Sequence, residues 1–175
     1  MKSVYIKMEN TKVEQFLNKA LEILCQTNIV LPKSATLNIY HHAGNELIEE
    51  TGALFMNVVN SDYCKSYVVM TEGQRYPEHY HKIKHETFYV LHGVLNVELE
   101  GTLHRLEAGE MLHIERGQDH SFWGEADVVF EEISTTYLPN DSIYLDEELG
   151  KKSYLDRRTV IKPEEWKEIR KKWSK

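Results

Sequence analysis

The chain has 175 residues, 41% hydrophobic and 28% charged, with a formal net charge of -7. That length supplies one full core and too little for two comfortable domains, so a single domain over 1–175 is expected. The charge lies in mixed-sign stretches with no basic stripe to neutralise a phosphate backbone, which argues against nucleic acid as a partner.

Thr11-Lys12-Val13-Glu14 has the capping-box pattern, and Val13, Phe16, Leu17, Ala20, Leu21 and Leu24 follow at helical spacing. An amphipathic helix over about 11–26 is expected, its apolar face packed on a sheet. From about 35 to 136 the chain breaks into short runs rich in Val, Ile, Tyr, Phe and Thr, punctuated by Gly44, Gly52, Gly73, Gly93, Gly101, Gly109, Gly117 and Gly124. Turn signals at that frequency predict an antiparallel sandwich or small barrel. Residues 54–60, 67–70 and 88–91 read as buried strands, and 95–100 as a strand with one wet face that ends in a Glu100-Gly101 turn. Beyond about 140 the text becomes charged and loop-like until Pro163 opens a last helix. Glu164 and Glu165 stand in its first turn, Lys171, Lys172 and Lys175 in its last, and Trp166, Ile169 and Trp173 lie near one face.

The first thirty residues show no basic segment leading into a long apolar one, and no stretch approaches a membrane span. A cytoplasmic location without a membrane partner is the expectation. Cys25, in the first helix, and Cys64, ahead of a strand, form neither a disulfide framework nor a thiolate metal motif, and read as buried or half-buried thiols.

The chemistry gathers between Gly73 and Gly124. Gly73 is followed by His79, His81, Glu86 and Gly93, then Gly109 by His120 eleven residues on. Residues i and i+2 of a strand project from one face, so His79 and His81 can grip one ion. The four-residue link 82–85 is short enough for a hairpin that returns Glu86 beside them, and His120 would arrive from a second hairpin. Imidazole suits Zn, Cu, Fe and Ni, with Co a further candidate, while a carboxylate shifts the preference towards harder ions such as Mn, and four protein ligands can leave open positions on an octahedral ion. Tyr76, Phe88, Phe122 and Trp123 flank the ligands as candidate cavity walls. By alternation His85 points away from Glu86, and His92 stands at the rim. His41, His42, His104 and His113 have no partner spacing and read as structural or surface residues. Of the pair Glu131 and Glu132, a regular strand turns one inward. Taken alone, Lys84 is either a solvated lysine of the link or a group beside the metal.

The two motifs resemble the signature of the cupin superfamily. That resemblance implies an all-β double-stranded β-helix, or jelly-roll barrel, flanked here by the N-terminal and C-terminal helices, with a metal held by His79, His81, Glu86 and His120. Glu115 stands where the signature usually has proline and Gly124 where it usually has asparagine. A closer similarity runs from about 54 to 145. The strings Val59-Asn60-Ser61-Asp62-Tyr63-Cys64-Lys65, Gly73-Gln74, Pro77-Glu78-His79, Lys84-x-Glu86-Thr87-Phe88 and Glu132-Ile133-Ser134-Thr135-Thr136 look like those of the D-lyxose isomerase family. Those are manganese-dependent sugar ketol-isomerases, whose members carry a longer loop between the second histidine and the glutamate.

The resemblance implies a sugar substrate, a divalent cation, manganese first, Glu132 as the base, and Lys84 as a group that stabilises an enediolate or shuttles a proton. A homodimer is expected, because cupins commonly pair through their sheets. A cupin oxygenase and a non-catalytic small-molecule-binding cupin are the competing readings, since one fold hosts many chemistries.

Overall fold

The computed structural model describes residues 11–27, 29–30 and 32–173. In chain order the elements are α1 (Lys12–Gln26), β1 (Thr36–His41), α2 (Ile48–Thr51) after a 3₁₀ turn, β2 (Gly52–Asn60), β3 (Tyr63–Met70), β4 (Arg75–His81), β5 (Glu86–His92), β6 (Val94–Leu99), β7 (Thr102–Glu107), β8 (Met111–Ile114), β9 (His120–Gly124), β10 (Val128–Thr135), β11 (Ser142–Tyr144), α3 (Glu147–Lys151), β12 (Arg158–Ile161) and α4 (Pro163–Trp173). The strands form a seven-stranded sheet, β12-β1-β2-β3-β10-β5-β8, and a five-stranded sheet, β11-β4-β9-β6-β7. All pairings are antiparallel. The architecture is the all-β jelly-roll barrel that the resemblance implies.

Two cores follow from strand alternation. On β1 and β2, Leu37, Ile39, Leu54 and Met56 face outwards and are sealed by Val13, Phe16, Leu17, Ala20, Leu21 and Leu24 of α1. Thr11 starts that helix by accepting the Glu14 N–H on its hydroxyl. The opposite face of the sheet turns Tyr40, Ala53, Phe55, Val68 and Met70 towards Leu95, Val97 and Phe122 of the second sheet, which fills the barrel. Trp166 and Ile169 of α4 pack into the outer core. Lys175 and the side chains of Lys172 and Trp173, assigned by sequence to the same helix, lie outside the described residues.

The structure changes four expectations. Link 82–85 is not a hairpin: β4 belongs to the five-stranded sheet and β5 to the seven-stranded one, so the link crosses between sheets. The supposed loops after 140 supply β11, which pairs with β4, and β12, which pairs with β1; three- and four-residue strands have too little pattern to be seen without their partners. β6 lacks a wet face at Asn96, which is buried opposite its cross-strand neighbours Trp123 and Arg105. Cys64 lies within β3 and is buried, whereas Cys25 is exposed. The Glu100-Gly101 turn forms as expected, with φ of 50° and 73°, the left-handed pair that a two-residue hairpin between Leu99 and Thr102 requires.

Gly93, between β5 and β6, has φ of 78°, and a Cβ there would stand 2.5 Å from the Asp127 carbonyl oxygen. Gly109 has φ of 96° with open space around it. Gly93→Ala should therefore cost about 2 kcal/mol or more, and Gly109→Ala about 1 kcal/mol, in urea denaturation. Equal losses would show that the close approach at Gly93 contributes nothing beyond its backbone angle.

Candidate metal centre and adjoining pocket

His79 and His81 project inwards from β4, and His120 is the direct cross-strand partner of His79 on β9. Glu86 opens β5 on the other sheet. All four are buried, and their ligand atoms lie within 4.8 Å of one another. Two local features aim the imidazoles. The β4–β9 ladder shifts register between Tyr76 and His79, around Pro77, which has no N–H to give it. The Pro77 carbonyl accepts a hydrogen bond from His79 Nδ1 at 2.9 Å, and the Gln118 carbonyl accepts one from His120 Nδ1 at 3.0 Å. A carbonyl only accepts, so both rings carry a proton on Nδ1 and, as neutral ligands, would present Nε2 to an ion.

His120 Nε2 faces Glu86 Oε1 at 2.9 Å, and His81 Nε2 lies 3.5 Å from the same oxygen. None of these atoms has a hydrogen-bond partner. Lone pairs so placed repel unless they share a cation, and the mixed imidazole and carboxylate donor set suits a divalent transition metal. Buried charge leads to the same conclusion. Lys84 Nζ contacts Glu132 Oε1 at 2.8 Å and Glu86 Oε2 at 2.5 Å, so one ammonium serves two carboxylates and one negative charge is left over. The four residues fit a metal ion.

Burial favours the neutral form of Glu86, but Lys84 and His81 override it and hold the carboxyl well below the usual range. Burial raises Glu132 above that range, against the pull of Lys84 and with the help of the Glu86 charge. Burial alone would discharge Lys84, yet Glu132 and Glu86 together push its pKa up. His79 is pushed well down by burial and then by His120 and His81, so it stays neutral and able to ligate.

The crossing link is held by a residue that sequence reading passed over. Asp141, buried ahead of β11, accepts the backbone N–H groups of Lys82 at 3.1 Å, Ile83 at 3.0 Å and Lys84 at 2.8 Å. It thereby sets the position of both Lys84 and Glu86. No local pattern marks it, because its partners lie almost sixty residues earlier in the chain.

The pocket over the ligands is lined by Tyr40, Phe55, Asn57, Cys64, Ser66, Tyr76, Phe122 and Tyr137, with Lys84 and Glu132 among the polar groups. Glu132 thus faces inwards, whereas Glu131 points away and pairs with Lys65 at 2.8 Å. Lys84 is buried, not solvated. Tyr76 and Phe122 stack at 4.6 Å and form one wall. Phe88 sits beneath them in the core, and Trp123 lies on the outer face under the Arg75 guanidinium, outside the pocket. His42, expected to be structural or superficial, is fully buried, stacked on Tyr40 and hydrogen-bonded through Nε2 to the Tyr144 hydroxyl at 3.0 Å. His92 is exposed. His85 and His113 meet on the outside of the barrel, where Glu115 lies 3.3 Å from His113 Nε2.

Removing the ammonium would strand two buried carboxylates. Lys84→Met is therefore expected to destabilise the metal-free protein by about 3–5 kcal/mol, with part recovered on adding a divalent cation. Denaturation with and without metal checks this, and an unchanged midpoint would mean that the carboxylates are compensated elsewhere.

Burial also takes the His42 imidazole down to about 3 from an ordinary 6.5. Between those values the unfolded chain binds more protons than the folded one. The stability is complete above pH 6.5 and is lost as pH falls, by at most about 1.4 kcal/mol per unit. The urea-derived stability of the metal-free protein should fall more steeply between about pH 6 and about pH 4.5 in the wild type than in His42→Gln; parallel slopes would show that His42 is not the titrating group.

Comparison with known proteins places this geometry in context. A profile described as the Cupin domain matches residues 66–135. The L-ribose isomerase of Geodermatophilus obscurus superposes with a TM-score of 0.67 at 13% identity, over 83% of this chain and 95% of that one. The L-ribose isomerase of Cellulomonas parahominis, solved with L-psicose, gives 0.66 at 16% identity over the same shares. At such identities the likeness is one of fold. An oxidoreductase of Arthrobotrys oligospora is 34% identical over 73 residues, 41% of this chain, and the match spans only 28% of that protein's length. Among the described residues, no helix is long and apolar enough to cross a membrane.

Proposed function

We propose that this protein, whose residues 66–135 match the Cupin domain profile, is a metal-dependent aldose–ketose isomerase, of the D-lyxose isomerase kind, with manganese as its ion. The observation that carries the reading is Glu132, a buried carboxylate in the same pocket as the four ligands and one ammonium away from Glu86. A metal-binding or ligand-carrying barrel has no need of a second buried acid whose ionisation is disfavoured. A proton-transfer enzyme needs a base raised towards neutrality.

A divalent cation held by His79, His81, Glu86 and His120 would polarise the two neighbouring sugar oxygens as a Lewis acid. Glu132 takes the proton from C2 and returns it to C1. A second proton passes from O2 to O1, and Lys84, between Glu86 and Glu132, is the group placed to relay it and to steady the charge that develops on those oxygens. Tyr76, Phe55 and Phe122 keep water from the reacting carbons, while Asn57 and Ser66, already hydrogen-bonded to each other at 3.2 Å, offer polar contacts to the hydroxyls. The two L-ribose isomerases that share this barrel support the class of reaction.

The test is the manganese form of the protein with pentoses and hexoses in deuterated water, followed by NMR for exchange at C2. Exchange is expected with at least one sugar, falling about 10²- to 10⁴-fold in Glu132→Gln while metal content stays the same. Full metal occupancy without exchange for any sugar would overturn the proposal. Oxygen uptake in that case would favour the oxygenase reading, to which the name of the Arthrobotrys protein lends some support.

A further inference from the structure

The pocket over the ligands is small, about 30 Å³, where a single buried water needs at least about 10–15 Å³. It accepts the reacting end of a substrate and little more. Next to it lies a cavity of about 390 Å³ lined by Ser34, Thr36, Asn38, Asn60, Tyr154 and Arg158, with Asn57 and Tyr137 common to both.

Shared lining and strand register place the two side by side on one face of the sheet. Thr36, Asn38 and Tyr40 alternate onto the same face of β1, where Tyr40 lines the inner pocket and the other two line the outer cavity. Across the sheet, Glu132 pairs with Ser66, Ser66 with Asn57, and Asn57 with Thr36. A path of polar side chains thus runs from the proposed base over three strand steps, roughly 14 Å at about 4.8 Å each.

The outer cavity carries one kind of charge. Its lining holds Arg158 and no aspartate or glutamate, in a protein whose net charge is -7. Arg75 and Arg105 are each paired with carboxylates. Among the described residues Arg158 has no such partner. Its Nη1 donates to Asn38 Oδ1 at 2.7 Å, its guanidinium lies 3.5 Å over the Tyr154 ring, and its buried Nε has no acceptor. The guanidinium is therefore held by Asn38 and Tyr154 at the cavity wall with no carboxylate against it, the arrangement in which arginine receives a carboxylate or phosphate.

We propose that the outer cavity is a second subsite, in which Arg158 binds an oxyanion at the far end of an elongated acidic sugar whose reducing end enters the metal pocket. The placement of the reducing end rests on the isomerase reading; the anion site rests on Arg158 alone.

The test is calorimetric binding of three matched probes to the manganese-loaded protein: cellobiose, its 6′-phosphate, and cellobiouronic acid, in which the same carbon is a carboxylate. At least one acidic probe should bind tenfold or more tightly than cellobiose, and the tighter of the two identifies phosphate or carboxylate. Arg158→Gln should abolish the preference without loss of metal, and Arg158→Lys should keep part of it. Thr36→Glu, which puts a negative charge in the cavity and leaves Arg158 intact, should also abolish it, and it serves if Arg158→Gln does not fold. Equal affinity for all three probes, or a preference that survives Arg158→Gln, would overturn the proposal. Because binding is read without turnover, failure of C2 exchange would sink the isomerase reading and leave this result standing.

Discussion

Two carboxylates and one ammonium lie together in the interior of this barrel, and the rest of the site depends on keeping them compensated. An ion moved from water into a protein loses several kcal/mol of solvation, which returns only when an opposite charge sits in good geometry. Lys84 meets both Glu86 and Glu132, and it can do so only because Asp141 fixes the backbone of residues 82–84. The surplus negative charge and the unpartnered imidazole nitrogens of His81 and His120 face the same space. A divalent cation there would satisfy both at once, so charge balance and ligand geometry lead independently to one centre.

The same constraint explains why the site spans two sheets. His79, His81 and His120 belong to the five-stranded sheet, Glu86 and Glu132 to the seven-stranded one. Groups drawn from both are held by the packing of Phe55, Val68, Leu95, Val97 and Phe122 between them. Close-packed interiors resist small displacements, and a proton-transfer geometry needs that resistance.

The proposed reaction and the proposed second subsite draw on different parts of the chain. The ligands, Lys84 and Glu132 lie within the span that matches the Cupin domain profile, whereas Thr36, Asn38, Tyr137 and Arg158 of the outer cavity lie beyond it. Likeness to the L-ribose isomerases extends over 83% of the chain but at 13–16% identity, so what is shared is the barrel.

Sequence by itself determined what depends on local pattern. The period of Val13, Phe16, Leu17 and Ala20 specified α1, the Pro163-Glu164-Glu165 start specified α4, and the i, i+2 spacing of His79 and His81 put two ligands on one face. The motif strings named Glu86, His120, Lys84 and Glu132 through a family resemblance, without showing how they meet. Tertiary structure alone decided that residues 82–85 cross between sheets, that Lys84 is buried between two acids, that Glu132 and not Glu131 faces the pocket, and that β11 and β12 exist at all. Each of those rests on partners tens of residues away: Asp141 for the link, Glu132 for Lys84, β4 and β1 for the short strands. Spacing along a chain carries the geometry of one strand or one helix turn, whereas charge compensation and cavity shape arise only when distant strands close the barrel.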